Sequence, residues 1–185
     1  MNRFLILGLT GPNAAGKGEI ARALSARGFT VHSLSDVVRE VARAEGRDQS
    51  RETLIEIGQR LRREAGPGVL AERILGRLSS PAVVDSIRAP AEVEVLRRVP
   101  GFRLLGVDAP VALRWQRAVA RGREGDLPDL QTFVAREERE NLDSPDSQQL
   151  RRTLALADRV VVNDGTVEEL LERVSLVLQS WEADG

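Results

Sequence analysis

The chain contains no cysteine, which excludes disulfides, thiolate metal sites and a cysteine nucleophile. It has no tyrosine, and only 3% of its residues are aromatic. No stacking platform for single-stranded nucleic acid is therefore visible. The one histidine, His32, has no companions at metal-site or triad spacing, and its apolar surroundings point to packing or one hydrogen bond. Charge of one sign is also lacking: 27 Lys+Arg against 28 Asp+Glu leave −1, which removes bulk attraction to nucleic acid. The apolar run Phe4 to Leu9 is too short for a membrane span or a signal-peptide core. The expectation is a cytoplasmic protein with small-molecule partners, no membrane or nucleic-acid partner and no obligatory protein partner.

Lysine is the most informative scarcity. Of the 27 basic residues one is Lys17, which leaves 26 arginines. A chain that uses arginine everywhere else keeps one compact ammonium at a position where a planar guanidinium would not substitute. What remains is ordinary for a globular protein: 185 residues, 42% hydrophobic and 30% charged, enough for one domain over residues 1–185.

Short apolar runs recur at Phe4–Leu9, Ala82–Val84, Arg103–Val107 and Val160–Val162, with Phe29–Ser33 as a weaker fifth. Runs without strict alternation suit strands covered on both faces. Helical patterns lie between them. Val167, Leu170, Leu171, Val174 and Leu178 share one face, and Thr166 with Glu169 forms a capping box at its start. Strands alternating with helices predict an α/β fold with an open, parallel sheet of about five strands. Residues 39–78 contain no convincing strand and read as two or three inserted helices, broken at Gly66-Pro67-Gly68. A loop over 122–129 precedes a charged helix from about Leu130 to Asn141.

Gly11-Pro-Asn-Ala-Ala-Gly16-Lys17 fits G-x-x-x-x-G-K, directly after a predicted strand and before a predicted helix. In such a phosphate loop the backbone N–H groups and the helix N-terminus hold phosphate oxygens, and the lysine bridges the β and γ phosphates. Gly11, Asn13, Ala14, Ala15, Gly16, Lys17, Gly18 and Glu19 are accordingly the candidate nucleotide-binding residues. Gly18 stands where a Ser or Thr hydroxyl would meet Mg²⁺. Glu19 puts a carboxylate near the expected α-phosphate, where it could repel the nucleotide, face solvent or help hold metal.

Three further segments carry chemistry. Asp36 is expected to cap a helix and Arg39, three residues on, to face a cleft. Asp85, at the end of an apolar strand, fits the carboxylate that holds Mg²⁺ through water, and Arg88 lies where open α/β sheets bind ligands. Arg114, Arg117 and Arg121 share a helical face, and Arg123 follows. Arginines there can offset the repulsion between two phosphate groups, as in a lid. Arg136 and Arg139, amid three glutamates, read as paired surface charges. Asn163 can either read a base edge or serve a strand-to-helix turn.

The loop, the two Asp-x-x-Arg segments, the arginine helix and the Asn163-Asp-Gly turn occur in the order found in adenylate kinase-like P-loop nucleotide kinases. The chain resembles that superfamily over nearly its whole length. It is similar to nucleoside monophosphate kinases and dephospho-CoA kinase, and most of all to a mainly archaeal branch sharing Gly-Lys-Gly-Glu and Asp-x-Ile-Arg. The resemblance implies a three-layer α/β/α P-loop kinase-type fold, with a helical acceptor-binding insertion at 39–78 and an arginine-rich lid at 114–141. It implies transfer of the γ-phosphate of Mg-ATP to a small phosphate-bearing acceptor, with a nucleoside monophosphate favoured. Lys17, Asp85, Arg88, Arg117 and Arg121 would be catalytic, Arg117 and Asn163 would touch the nucleotide, and Asp36, Arg39, Arg88 and Arg123 would hold the acceptor. Two other readings stay open: a dephospho-CoA kinase-like enzyme, and a nucleotide-binding regulator or slow NTPase without acceptor.

Overall fold

The structure, a computed structural model, describes residues 5–122, 129–141 and 148–183. From the N-terminus it runs β1 (Ile6–Thr10), α1 (Lys17–Ala26), β2 (Thr30–Ser33), α2 (Leu34–Ala44), α3 (Arg51–Ala65), α4 (Val69–Leu75) and β3 (Ala82–Ile87). It continues through α5 (Pro90–Leu96), β4 (Phe102–Asp108), α6 (Val111–Arg121), α7 (Leu130–Glu140), α8 (Leu150–Ala155), β5 (Arg159–Val162) and α9 (Val167–Ala183). The strands form one five-stranded sheet in the order β2-β3-β1-β4-β5, and every pairing is parallel. The three-layer α/β/α arrangement expected from the sequence is the one found.

The continuous apolar strands follow from that layering. Successive side chains point to opposite faces, and both faces are covered. Ile6, Val84 and Leu104 pack with Leu34, Ile57, Leu70 and Val93 from α2 to α5 on one side. Leu7, Leu9, Val83 and Leu105 pack with Ile20 of α1 and Leu170 and Val174 of α9 on the other. The capping box of α9 forms: the Glu169 carboxylate accepts from the Thr166 amide at 2.9 Å, and Thr166 Oγ1 accepts from the Glu169 amide at 3.2 Å. No helix among the described residues is long and apolar enough to cross a membrane.

One local expectation is corrected. Asp36 does not cap its helix: α2 begins at Leu34 with Ser33 as N-cap, so Asp36 stands in the first turn and pairs with Arg39 at 2.8 Å. Asp158 precedes β5 at the end of the sheet opposite the phosphate loop, where its carboxylate accepts from the Leu104 amide at 2.7 Å. It ties β4 to the start of β5.

The C-terminal edge of β3 is irregular, and that irregularity positions the site. Gly8 pairs with Val84 but Thr10 with Ile87, so β3 carries one extra residue over this stretch. The bulge puts Ser86 at φ 65, a conformation unusual for a residue with a β-carbon. Thr10 Oγ1 donates to the Ile87 carbonyl at 2.9 Å, and Ser33 and Ser86 hydroxyls meet at 3.2 Å. These bonds fix a bend that takes Asp85 and Ser86 out of register with β1, while Asp85 stays paired with Ser33 of β2.

Just beyond it, the fully buried Glu92 of α5 accepts from the Arg88 and Ala89 amides at 2.8 and 3.1 Å and pairs with Arg62 of α3 at 2.8 Å. One carboxylate thus joins the end of β3, the start of α5 and the helical layer. Removing it leaves a buried guanidinium and two amides without partners. Glu92→Ala is expected to lose about 3–5 kcal/mol in urea unfolding; a loss below about 1 kcal/mol would show that the three-way junction is not structural.

Candidate functional site

The loop after β1 has a shape that depends on two of its glycines. Gly11 has φ 129, and a β-carbon there would lie 1.9 Å from the Val107 carbonyl oxygen. Gly16, at φ 112, caps α1, and a β-carbon would lie 2.4 Å from the Asn163 amide nitrogen. Ala14 also takes a positive φ. Lys17 opens α1, and its ammonium folds back onto the loop, donating to the Gly11 and Pro12 carbonyls at 2.6 and 2.8 Å. Burial lowers the Lys17 pKa from 10.5 to about 8, against the opposing charge of Asp85. The loop therefore forms a cradle whose single cation is desolvated and held by carbonyls that an anion can replace.

Gly18 faces open space, so nothing steric excludes a hydroxyl-bearing side chain there. Glu19 lies along α1 and pairs with Arg22 at 2.7 Å; in this structure its carboxylate is taken up outside the loop. Asp85 has the opposite character. Its Oδ1 is buried without a hydrogen-bond partner, while Oδ2 accepts only a long 3.4 Å bond from Ser86. An orphaned carboxylate oxygen beside a phosphate cradle fits a water-mediated contact to a divalent cation. No group of three His, Asp or Glu side chains among the described residues could hold a metal by itself. Mg²⁺ would accordingly share its ligands with phosphate and water.

Beside the loop lies a cleft of about 610 Å³. Leu34, Val38, Leu54, Ile55 and Leu70 supply apolar surface, and arginines enter from every wall. Arg88 comes from beyond β3, Arg39 from α2, Arg51 and Arg62 from α3, Arg121 from α6, and Arg136 and Arg139 from α7. Glu52 and Glu140 are the carboxylates lining it, so the lining carries a surplus of five positive charges. Arg88 is the hinge between cradle and cleft. Its guanidinium donates to Asn13 Oδ1 in the loop at 3.1 Å and to Gln148 Oε1 at 2.7 Å. Desolvation lowers its pKa, with the nearby Glu140 charge opposing.

The structure thus brings Lys17, Asn13, Arg39, Arg88 and Arg121 to a common cradle and cleft. It places others differently. Arg117 donates to the Asn163 and Gly165 carbonyls at 3.2 Å and to Asn163 Oδ1 at 3.3 Å, which clamps the β5–α9 turn. Asn163 is buried and donates to the Ala15 carbonyl at 2.8 Å, so its amide braces the back of the loop instead of presenting itself to a base. Asp36 does not line the cleft; it pairs with Arg39, which does. Arg114 is buried, donating to the Ala109 and Asn13 carbonyls at 3.0 and 3.4 Å and to Glu137, with its guanidinium over the Phe133 ring. Arg123 lies outside the described residues.

Arg51, Arg62 and Gln148 line the cleft without having been expected to, and Arg136 and Arg139 stand there instead of on a solvated face. The sequence did hold a signal for the first two. Arg51, Leu54, Ile55, Gly58 and Arg62 follow i, i+3, i+4, i+7, i+11 spacing, an apolar stripe ended by arginines, as a cleft wall requires.

No family model matches the chain. Among curated proteins, the UPF0200 protein of Methanothermobacter thermautotrophicus is 32% identical over 98% of this chain and 93% of its own length. The UPF0200 protein of Thermococcus gammatolerans is also 32% identical, over 95% and 94%. Among solved structures, TT1252 from Thermus thermophilus aligns with a TM-score of 0.63 at 23% identity, over 97% of this chain and 98% of its own. Shikimate kinase from Aquifex aeolicus aligns with a TM-score of 0.62 at 16% identity, over 98% and 100%. At these identities the likeness to the solved structures is one of fold, and the fold is that of the P-loop kinases.

Lys17 is the only lysine, so ¹³C-lysine labelling yields one ε-methylene resonance that reports the cradle directly. Its titration midpoint is expected near pH 8. The depressed value means that the unfolded chain binds more protons between pH 8 and 10.5, so the Lys17 contribution to stability rises with pH across that window. Phosphate binding runs the other way: it favours the ammonium, and affinity should fall as pH rises above 8. A midpoint above 10 would place the ammonium in water.

Proposed function

The chain belongs to the UPF0200 protein family, and from its site we propose a phosphotransferase that moves the γ-phosphate of Mg-ATP to a small phosphate-bearing acceptor. A nucleoside monophosphate is the favoured acceptor. The observation that carries this reading is the Arg88–Asn13 contact: one guanidinium touches the phosphate loop and also lines the arginine-rich cleft. A loop for a donor phosphate and a cationic cleft for a second anion share a wall, and phosphoryl transfer needs that juxtaposition. Its chemistry is mostly positioning and charge stabilisation, since two anions must be brought together and the moving oxygens neutralised.

In this reading the loop amides and Lys17 hold the β and γ phosphates, and the ammonium leaves the Gly11 and Pro12 carbonyls to do so. Asp85 would hold Mg²⁺ through water, and the metal when bound would neutralise charge on the phosphate oxygens. Arg39 and Arg88 orient the acceptor so that one of its oxygens attacks the γ-phosphorus as the bond to ADP breaks. Arg121 faces the same space from α6. Asn163 and Arg117 act behind the loop, keeping Ala15 and the β5–α9 turn in place. Glu19 pairs with Arg22 along α1 and takes no part in the transfer in this reading.

ADP formation from Mg-ATP, measured across ribo- and deoxynucleoside monophosphates and dephospho-CoA, tests the reading. One acceptor should stimulate ADP release and Lys17→Met should abolish it. Arg88→Ala should raise the acceptor KM or lower kcat at least about tenfold, about 1.4 kcal/mol. Absence of stimulation by every acceptor, or full turnover in Lys17→Met, would overturn it.

A further inference from the structure

Glu140 ends α7 with its side chain only 6% exposed, inside the cleft. Arg51 of α3 donates to it through Nε and Nη2, both at 2.7 Å, in the two-pronged geometry that guanidinium uses for carboxylates and phosphates. Arg136 approaches it at 3.6 Å while also pairing with Glu52 at 2.8 Å, and the Glu140 charge is felt at Arg88. A carboxylate of the chain therefore sits in a cage formed by the Arg51 and Arg136 guanidinium groups, within electrostatic reach of Arg88, in the space proposed for the acceptor.

We propose that Glu140 is an internal stand-in for a phosphate group of the acceptor, which binds by displacing it from Arg51 and Arg136. The displacement selects for charge. Glu140 is tethered and so competes at an effective concentration of the order of millimolar or more. An external monocarboxylate offers the same charge and the same two oxygens, so it gains nothing over the residue already there. A phosphate near pH 7 brings between about 1.5 and 2 negative charges and three acceptor oxygens. It can engage Arg51, Arg136 and Arg88 together, and the displaced Glu140 returns to water. The cage consequently discriminates phosphate-bearing from carboxylate-bearing acceptors of similar size.

This inference deepens the phosphotransferase reading and takes the word acceptor from it, but its test needs neither ATP nor turnover. Inorganic phosphate is titrated calorimetrically into the wild type, Glu140→Gln, Glu138→Gln and Arg51→Gln/Glu140→Gln, with acetate as a competing arm. Phosphate held by the loop after β1 is common to all four proteins, so their differences read the cage. Glu140→Gln should tighten phosphate binding at least about tenfold. Glu138→Gln makes the same change in net charge on α7 but lies outside the cleft, where Glu138 faces Arg151, and it should stay within about threefold of the wild type. The double variant should lose the gain, and acetate should fail to displace phosphate from the wild type. A gain under about threefold in Glu140→Gln, an equal gain in Glu138→Gln, a gain that survives loss of Arg51, or acetate as potent as phosphate would each overturn the proposal. If Glu140→Gln does not fold, Glu140→Asp keeps the charge and shortens the reach, and it should show the same ranking at smaller size.

Discussion

The buried Glu92 carboxylate is the constraint from which the geometry of the site descends. A parallel sheet ends in backbone groups that must be satisfied, and β3 ends beside a helical layer carrying its own buried cation. Glu92 meets both demands: two amides at the start of α5 and the Arg62 guanidinium of α3 converge on it. Because one of those amides belongs to Arg88, the backbone of the residue that touches both loop and cleft is fixed by the same bonds that dock α3. The cleft wall and the phosphate loop are thereby held in a common frame. The β3 bulge adds a second fixed point, and it explains how a carboxylate at position 85 keeps an oxygen free at the edge of an otherwise regular strand.

Around that frame arginine does two kinds of work. Arg117 and Arg114 spend their donors on backbone carbonyls, where a planar, many-donor cation ties loops that strands cannot reach. Arg39, Arg51, Arg88 and Arg136 line the cleft, each with a partner of the chain itself. An anion entering the cleft therefore exchanges partners with residues already assembled. The ordering of the side chains has largely been met before the ligand arrives, which is what preorganisation means energetically.

Much of this was legible in the sequence, for identifiable reasons. The apolar runs revealed five strands because burial on both faces leaves no polar alternation to confuse them, and the loop glycines were informative because Gly11 and Gly16 sit where a β-carbon collides. Arg39 and Arg88 were legible because short spacing from Asp36 and Asp85 placed one in α2, which follows β2 directly, and the other just beyond β3. Arg136 and Glu140 were misread for a physical reason. Their i, i+4 spacing describes a paired surface face equally well, and only the docking of α7 against α3 turns that face inward. Asn163 is the converse case: an asparagine before a turn reads as turn chemistry or base recognition, while its actual partner, Ala15, lies 148 residues away. Non-local partners of this kind leave no periodic trace.

The single lysine closes the reasoning about charge. At position 17 the cation must sit between two carbonyls of its own loop when no anion is present, and the contacts at 2.6 and 2.8 Å leave room for a compact head only. A guanidinium has a fixed fork and stays charged at any working pH, so it would keep its partners in plane and could not share two converging carbonyls in this way. An ammonium with its pKa pulled down to about 8 is poorly satisfied by burial and gains most when a phosphate arrives. The cleft has the opposite requirement. There, on the proposed reading, the positive charge must persist, spread over planar groups that would trade a carboxylate for a phosphate without titrating. Arginine in the cleft and lysine in the loop are two answers to two different electrostatic problems, placed side by side and joined through Arg88 and Asn13.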